Sequence, residues 1–245
     1  MHSVEIQEVL PMKKIFILIS TILFLLFSNV SCRTFNITSS NNKIGMPPSM
    51  VIFTFDDGPN EKDNTTERLL DVLSKYDVKG VFCLLGVNVE NSPEIVRRIY
   101  NDGHIIATHG YSDKLNYFMN DVDFRNNLLQ GYRSITDILG YEIPRLYRPH
   151  GGIYSPSQKR IIEEEGFVIV NYTVGIMDAY TTYARKDRFI RRLIKRIEKQ
   201  NGGIILLHDG GDNRFWIPDA VEIIIIALLE RGFILNETFD FIIME

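Results

Sequence analysis

From Met50 onward, short apolar runs alternate with longer segments whose apolar residues recur every three or four positions. The runs cover residues 51–55, 81–85, 104–108, 146–147, 168–174, 204–207 and 233–235. The periodic segments between them cover 65–76, 93–101, 121–139, 157–165, 186–199 and 219–230. Ser92-Pro93 and Ser155-Pro156 carry helix-start chemistry, and Gly103, Gly140, Gly166 and Gly232 stand where helices stop. Strands that alternate with helices are parallel and joined by right-handed crossovers. Runs that are apolar throughout have both faces buried, as in a barrel. The pattern therefore predicts an α/β fold, a β/α barrel, over residues 49–245.

Polar chemistry follows most of these strands. Asp56-Asp57 follow Phe55, His109 follows Thr108, Arg148 follows Tyr147, Asp178 comes shortly after Val174, and His208-Asp209 follow Leu207. In a β/α barrel the carboxyl ends of the strands share one face, where chemistry gathers. Acids, imidazoles and an arginine from five places in the chain are thus expected to converge, which a purely structural barrel does not require.

The N-terminal stretch has a different character. Met12-Lys13-Lys14 precedes an apolar run over 15–27, broken only by Ser20 and Thr21, and then Ser28-Asn29-Val30-Ser31-Cys32. A basic start, a short apolar run and small residues mark a secretory signal, so residues 1–32 are read as an export segment with translation starting at Met12. Cys32 sits where a lipoprotein would be acylated, although Asn29 stands where Leu is usual. Residues 33–48, rich in Asn, Ser and Thr and ending in Pro47-Pro48, read as a flexible tether. Localisation at the cell envelope or cell surface follows, with membrane contact only through the signal or a lipid at Cys32. With two cysteines in 245 residues, no disulfide framework is implied. A net charge of -4 gives no reason to expect nucleic acid as a partner.

Neighbouring side chains near a strand end point different ways, so Asp56 and Asp57 can take different roles, one toward a metal and one toward a water. If residues 109–113 form a helical turn, His109 and Asp113 face the same way. Asp57, His109 and Asp113 then make a set of two oxygens and one nitrogen with positions left open for water and substrate, as a hydrolytic metal site requires. Arg148 can pair with a carboxylate and hold it ionised. His208 is expected to act as a general acid.

The ordered blocks Thr54-Phe55-Asp56-Asp57-Gly58-Pro59, His109-Gly110-Tyr111-Ser112-Asp113, Tyr147-Arg148-Pro149-His150-Gly151-Gly152, Asp178 and Leu206-Leu207-His208-Asp209 resemble the polysaccharide deacetylase family, also called the NodB-homology or carbohydrate esterase family 4 domain. The resemblance runs from about Met50 to about Leu235. It implies a distorted, incomplete β/α barrel holding one divalent metal ion, zinc first, with cobalt, nickel or manganese as alternatives. It further implies that Asp56 is the catalytic base, that Arg148 orients it, and that Asp57 and His109 are metal ligands. Asp178 would orient His208, the acid; Gly151 would offer a backbone N–H to the oxyanion, and Leu206 would line the acetyl pocket.

Three positions depart from the family pattern. Asp113 stands where a third ligand histidine is usual, Gly151 where an aromatic is usual, and Ala179 where a tryptophan is usual. Trp216, the only tryptophan, and Tyr172 or Tyr180 are the candidates for sugar stacking in their place. The expected activity is removal of acetyl groups from an N-acetylglucosamine-type polymer such as peptidoglycan or a surface polysaccharide. The alternatives are an O-acetyl esterase on xylan-like glycans and a non-catalytic carbohydrate-binding module on the same fold.

Overall fold

The computed structural model describes residues 49–175 and 178–235, apart from the Ala179 side chain. The expected export segment, the Met12 start, Cys32 and the whole of the tether lie outside the described residues. No described helix is long and apolar enough to cross a membrane.

Among the described residues there are seven strands: β1 Val51–Gly58, β2 Gly80–Leu84, β3 Ile105–Thr108, β4 Leu146–Tyr147, β5 Val168–Ile169, β6 Val174–Gly175 and β7 Gly203–His208. They are interleaved with helices α1 Thr65–Lys75, α2 Gly86–Asn91, α3 Pro93–Asn101, α4 Asp121–Leu139, α5 Pro156–Glu164, α6 Lys186–Gln200 and α7 Ile217–Leu229. All strand pairs are parallel, in the order β5-β4-β3-β2-β1-β7-β6. The run expected as one strand over 168–174 is two strands, on opposite edges of this sheet.

That split fixes the shape. Residues 170–173 alone join the two edges, and the five steps from Ile169 to Val174 reach at most roughly 18 Å. A flat sheet would separate its outer strands by six spacings of about 4.8 Å, or roughly 29 Å. The sheet must therefore curl until its edges nearly meet, without pairing β5 to β6 among the described residues. The expected incomplete barrel is the observed fold. The run at 233–235 forms no strand, only a parallel bridge from Ile234 to Met50.

Alternation along β1 sorts its residues between two environments. Val51, Phe53 and Phe55 join the core beneath the helices with Phe82, Ile205 and Leu207. Ile52, Thr54 and Asp56 pair in register with Ile204, Leu206 and His208 on β7, on the opposite face. Asp56 and His208 are thus cross-strand neighbours at the carboxyl end of the sheet.

Helix ends follow the sequence signals. Asn120 accepts the Asp123 N–H at the start of α4, and Ser155 with Gln158 forms a capping box at α5. Helix α4 approaches the turn after β3 so closely that a Cβ on Gly131 would lie 2.4 Å from the carbonyl carbon of Gly110 and 2.7 Å from Thr108 Oγ1. Alanine at this helix-interior position would gain roughly 1 kcal/mol of helix propensity. Overpacking costs about 1–3 kcal/mol, and the two nearest atoms belong to backbone that cannot swing aside. Gly131→Ala is therefore expected to lower the urea midpoint; an unchanged or raised midpoint would contradict this packing.

Candidate active site

Three of the five histidines, His109, His150 and His208, gather at the carboxyl end of the sheet. Strand β1 supplies both carboxylates from within the strand, not after it. Its register slips between Asp56 and Gly58, and Asp57 has φ 71°. The bulge cancels the alternation that would send neighbouring side chains to opposite faces. Both carboxylates accordingly converge on one imidazole: His109 Nε2 lies 3.4 Å from Asp57 Oδ1 and 3.8 Å from Asp56 Oδ2. The Asn88 amide secures the bulge by donating to the Asp57 carbonyl at 2.8 Å.

Asp56 is buried and faces the Arg148 guanidinium, whose Nη1 is 3.4 Å from it. Arg148 is only 1% exposed, yet its donors are satisfied. Nε donates to the Val170 carbonyl at 2.5 Å, and Nη2 donates to Thr54 Oγ1 at 3.1 Å and to the Asn171 carbonyl at 3.4 Å. The expected pairing of Arg148 with a carboxylate is present. The arginine also closes the gap between β5 and β6, a structural duty that its position after a strand did not suggest. Asp56 Oδ1 is buried without a hydrogen-bond partner.

Across the sheet, Asp178 takes two bonds from His208: one from the backbone N–H at 2.7 Å and one from ring Nδ1 at 2.8 Å. Burial works against a charged His208, but the Asp178 hydrogen bond and charge, with Asp56 and Asp57 adding to them, push it up to about 9. The imidazole holds its proton at neutral pH, with Nε2 left toward the site. For Asp57, burial is the main influence; His208 opposes it and Asp56 and Asp113 reinforce it, bringing the carboxyl up to about 6.

Asp57, His109 and His150 bring ligand-capable atoms within 4.8 Å of one another. Here the structure departs from the expected ligand set. Residues 109–113 form bends and no helical turn, so the spacing of four does not align His109 with Asp113. The Asp113 side chain is 78% exposed, and its described ion-pair contact is His150 Nε2 at 3.9 Å. His150, only 6% exposed, stacks on His109 with ring centroids 4.0 Å apart. No role was read for His150 from the sequence. The available signal was a third imidazole in the same block as Arg148.

Asp57 and His109 offer donors that fit a divalent cation. His109 donates Nδ1–H to the Arg148 carbonyl at 2.6 Å, which leaves the Nε2 lone pair facing Asp57. Burial pulls both His109 and His150 down to about 3, so each is neutral.

The substrate-facing candidates divide. Tyr172 is half-buried over the Arg148 guanidinium, 5.4 Å from ring centroid to Cζ, and packs against Gly152 and Gly175. Leu206 is half-buried beside Thr54. Gly151 is exposed in a short 3-10 turn, with φ 62°. Tyr180 is 78% exposed. Trp216 must be withdrawn as a sugar platform. It is 0% exposed and packs edge-on against Phe189 under α6, because its position at the start of α7 points it into the core. Asp209, given no role from the sequence, is fully buried beneath Gly58; burial brings its carboxyl up to about 7, and Thr66 Oγ1 donates to it at 2.5 Å.

This geometry can be set beside known proteins. A peptidoglycan-N-acetylglucosamine deacetylase of Bacillus cereus is 37% identical over 128 residues, which is 52% of this chain and 46% of that protein. The chain thus matches about half the length of that relative. A chitooligosaccharide deacetylase of a Bradyrhizobium species is 30% identical over 75% of this chain and 86% of its own length. The crystal structure of the Bc1960 peptidoglycan N-acetylglucosamine deacetylase superposes with a TM-score of 0.66 at 29% identity, covering 78% of this chain and 89% of the other. The family model described as polysaccharide deacetylase matches residues 43–170, slightly more than half of the sequence. On these matches, together with the curled seven-stranded sheet, the chain belongs to the polysaccharide deacetylase family.

Proposed function

We propose that the protein is a metal-dependent hydrolase that removes the acetyl group from N-acetylglucosamine units of an exported or envelope polysaccharide. The observation that carries this reading is the pairing of two oppositely equipped proton carriers on neighbouring strands. The Asp56 carboxyl group faces the Arg148 guanidinium, and His208 is a cation held by Asp178. A site that only bound sugar would need neither. The relatives named above act on peptidoglycan or chitooligosaccharide by name, and the pattern over residues 1–32 favours export.

Asp57 and His109 would hold the cation, with His150 against them. A divalent ion there supplies Lewis acidity toward the acetyl carbonyl and a water. The remaining work belongs to the chain. Asp56 accepts the proton of the attacking water, and Arg148 keeps that carboxylate aimed. An amide nitrogen leaves poorly as an anion, so an acid must protonate it. His208 carries that proton on Nε2, and Asp178 both orients the ring and keeps it charged. The Gly151 backbone N–H and Leu206 would receive the oxyanion and the acetyl methyl, and Tyr172 would stack on the sugar.

Asp56→Asn and His208→Ala are each expected to lower kcat for acetate release from N-acetylchitooligosaccharides by about 10²–10⁴-fold. Chelation should abolish release and zinc should restore it; full turnover in the chelated protein would sink the metal-dependent reading.

The pH profile tests the role of His208. The folded protein holds this group at about 9, above its ordinary 6.5, so the acid is present below that value and is lost as pH rises through it. Asp178→Asn removes the supporting anion and should move the alkaline limb of kcat/KM to lower pH. A limb that stays in place would show that Asp178 does not tune the acid.

A further inference from the structure

A buried chain of amides reaches His150 at its ring Nδ1. The backbone N–H groups of Tyr111 and Ser112 both point at one atom of the Asn127 side chain, at 3.2 and 3.1 Å. Two donors require an acceptor, so that atom is the carbonyl oxygen. The Asn127 amide nitrogen is then fixed toward Asn116, whose Oδ1 accepts from it at 3.1 Å. The Asn116 amide nitrogen in turn faces Tyr147 Oη and His150 Nδ1, each at 2.9 Å. Asn116 is itself 1% exposed, and Gln158 Nε2 donates to its backbone carbonyl at 2.6 Å. Neither amide can turn over without setting donor against donor.

The consequence falls on His150. Its Nδ1 accepts a hydrogen bond, so the neutral ring carries its proton on Nε2. That is the opposite tautomer to His109, whose Nδ1–H donates to a carbonyl. His150 Nε2 is buried without a hydrogen-bond partner, and the nearest carboxylate oxygen, on the exposed Asp113, stands 3.9 Å away, beyond bonding reach. A buried N–H lacking an acceptor is unfavourable, so the site is built to receive an oxygen there.

We propose that the Asn127–Asn116 relay makes His150 a hydrogen-bond donor to an oxygen held in the site, the acetyl oxygen or a water, and not a lone-pair ligand of the cation. Asn116 is the positioning residue, and the cation rests on Asp57 and His109. This deepens the deacetylase reading but is tested without turnover.

Long-range 1H–15N correlation spectra of the metal-free full chain should show His109 protonated on Nδ1 and His150 protonated on Nε2. Zinc titrations of the full chain should show His150→Gln binding within about threefold of the unmodified protein, and His109→Gln binding at least tenfold more weakly. Asn116→Asp keeps the acceptor for Asn127 and adds a carboxylate oxygen facing Nδ1. It should shift the His150 proton to Nδ1 and tighten zinc binding by roughly tenfold or more. An Nδ1–H signal for His150 in the unmodified protein would overturn the proposal, whatever the variants do. So would a loss of zinc on His150→Gln as large as that on His109→Gln. Failure of acetate release with these spectra intact would instead count against the deacetylase reading alone.

Discussion

The structure depends on one buried cation. The Arg148 guanidinium sits where the curled sheet fails to close, and it bonds the carbonyls of Val170 and Asn171 that no strand satisfies. Val170 is buried and an unpaired buried carbonyl is costly, so a donor in the break between β5 and β6 stabilises it. The same side chain needs an anion, because an unpaired buried charge costs several kcal/mol. Asp56 is that anion. Fold closure and the placing of the expected base are therefore one interaction, and neither can be altered alone.

A second constraint is local. An unbroken β1 would turn Asp57 away from Asp56 and leave His109 with one carboxylate. The register slip and the positive φ of Asp57 bring both to the same ring. The strain of a non-glycine residue in that region is held by neighbours with no room to relax: the Asn88 amide on the Asp57 carbonyl and Gly210 packed against that backbone. Strain retained beside reacting groups is a common mark of a working site.

Much of this was legible in the sequence because the relevant signals are short-range or repetitive. Apolar runs followed by Asp, His or Arg gave the strands, their parallel sense and the face on which chemistry gathers. What escaped was set by tertiary contact. The run at 168–174 reads as one strand, since nothing local marks the hop from one sheet edge to the other. The spacing of His109 and Asp113 suggests a helical turn, but Gly110 lies against Gly131 and the segment bends. Trp216 looks like a sugar platform by composition, and only the packing of α7 places it in the core. His150 was missed because the partner of its Nδ1, Asn116, lies 34 residues away in sequence.

The register of β1 with β7 carries a wider consequence. Asp56 and His208 are spaced by the hydrogen-bond ladder of the sheet, whose interstrand distance is about 4.8 Å. Loop length and loop composition do not enter that distance. Insertions, deletions and substitutions around the rim can therefore reshape what the site admits while Asp56 and His208, the proposed proton carriers, keep their separation. Such a scaffold lets specificity drift over evolutionary time without the chemistry being rebuilt for each new polymer.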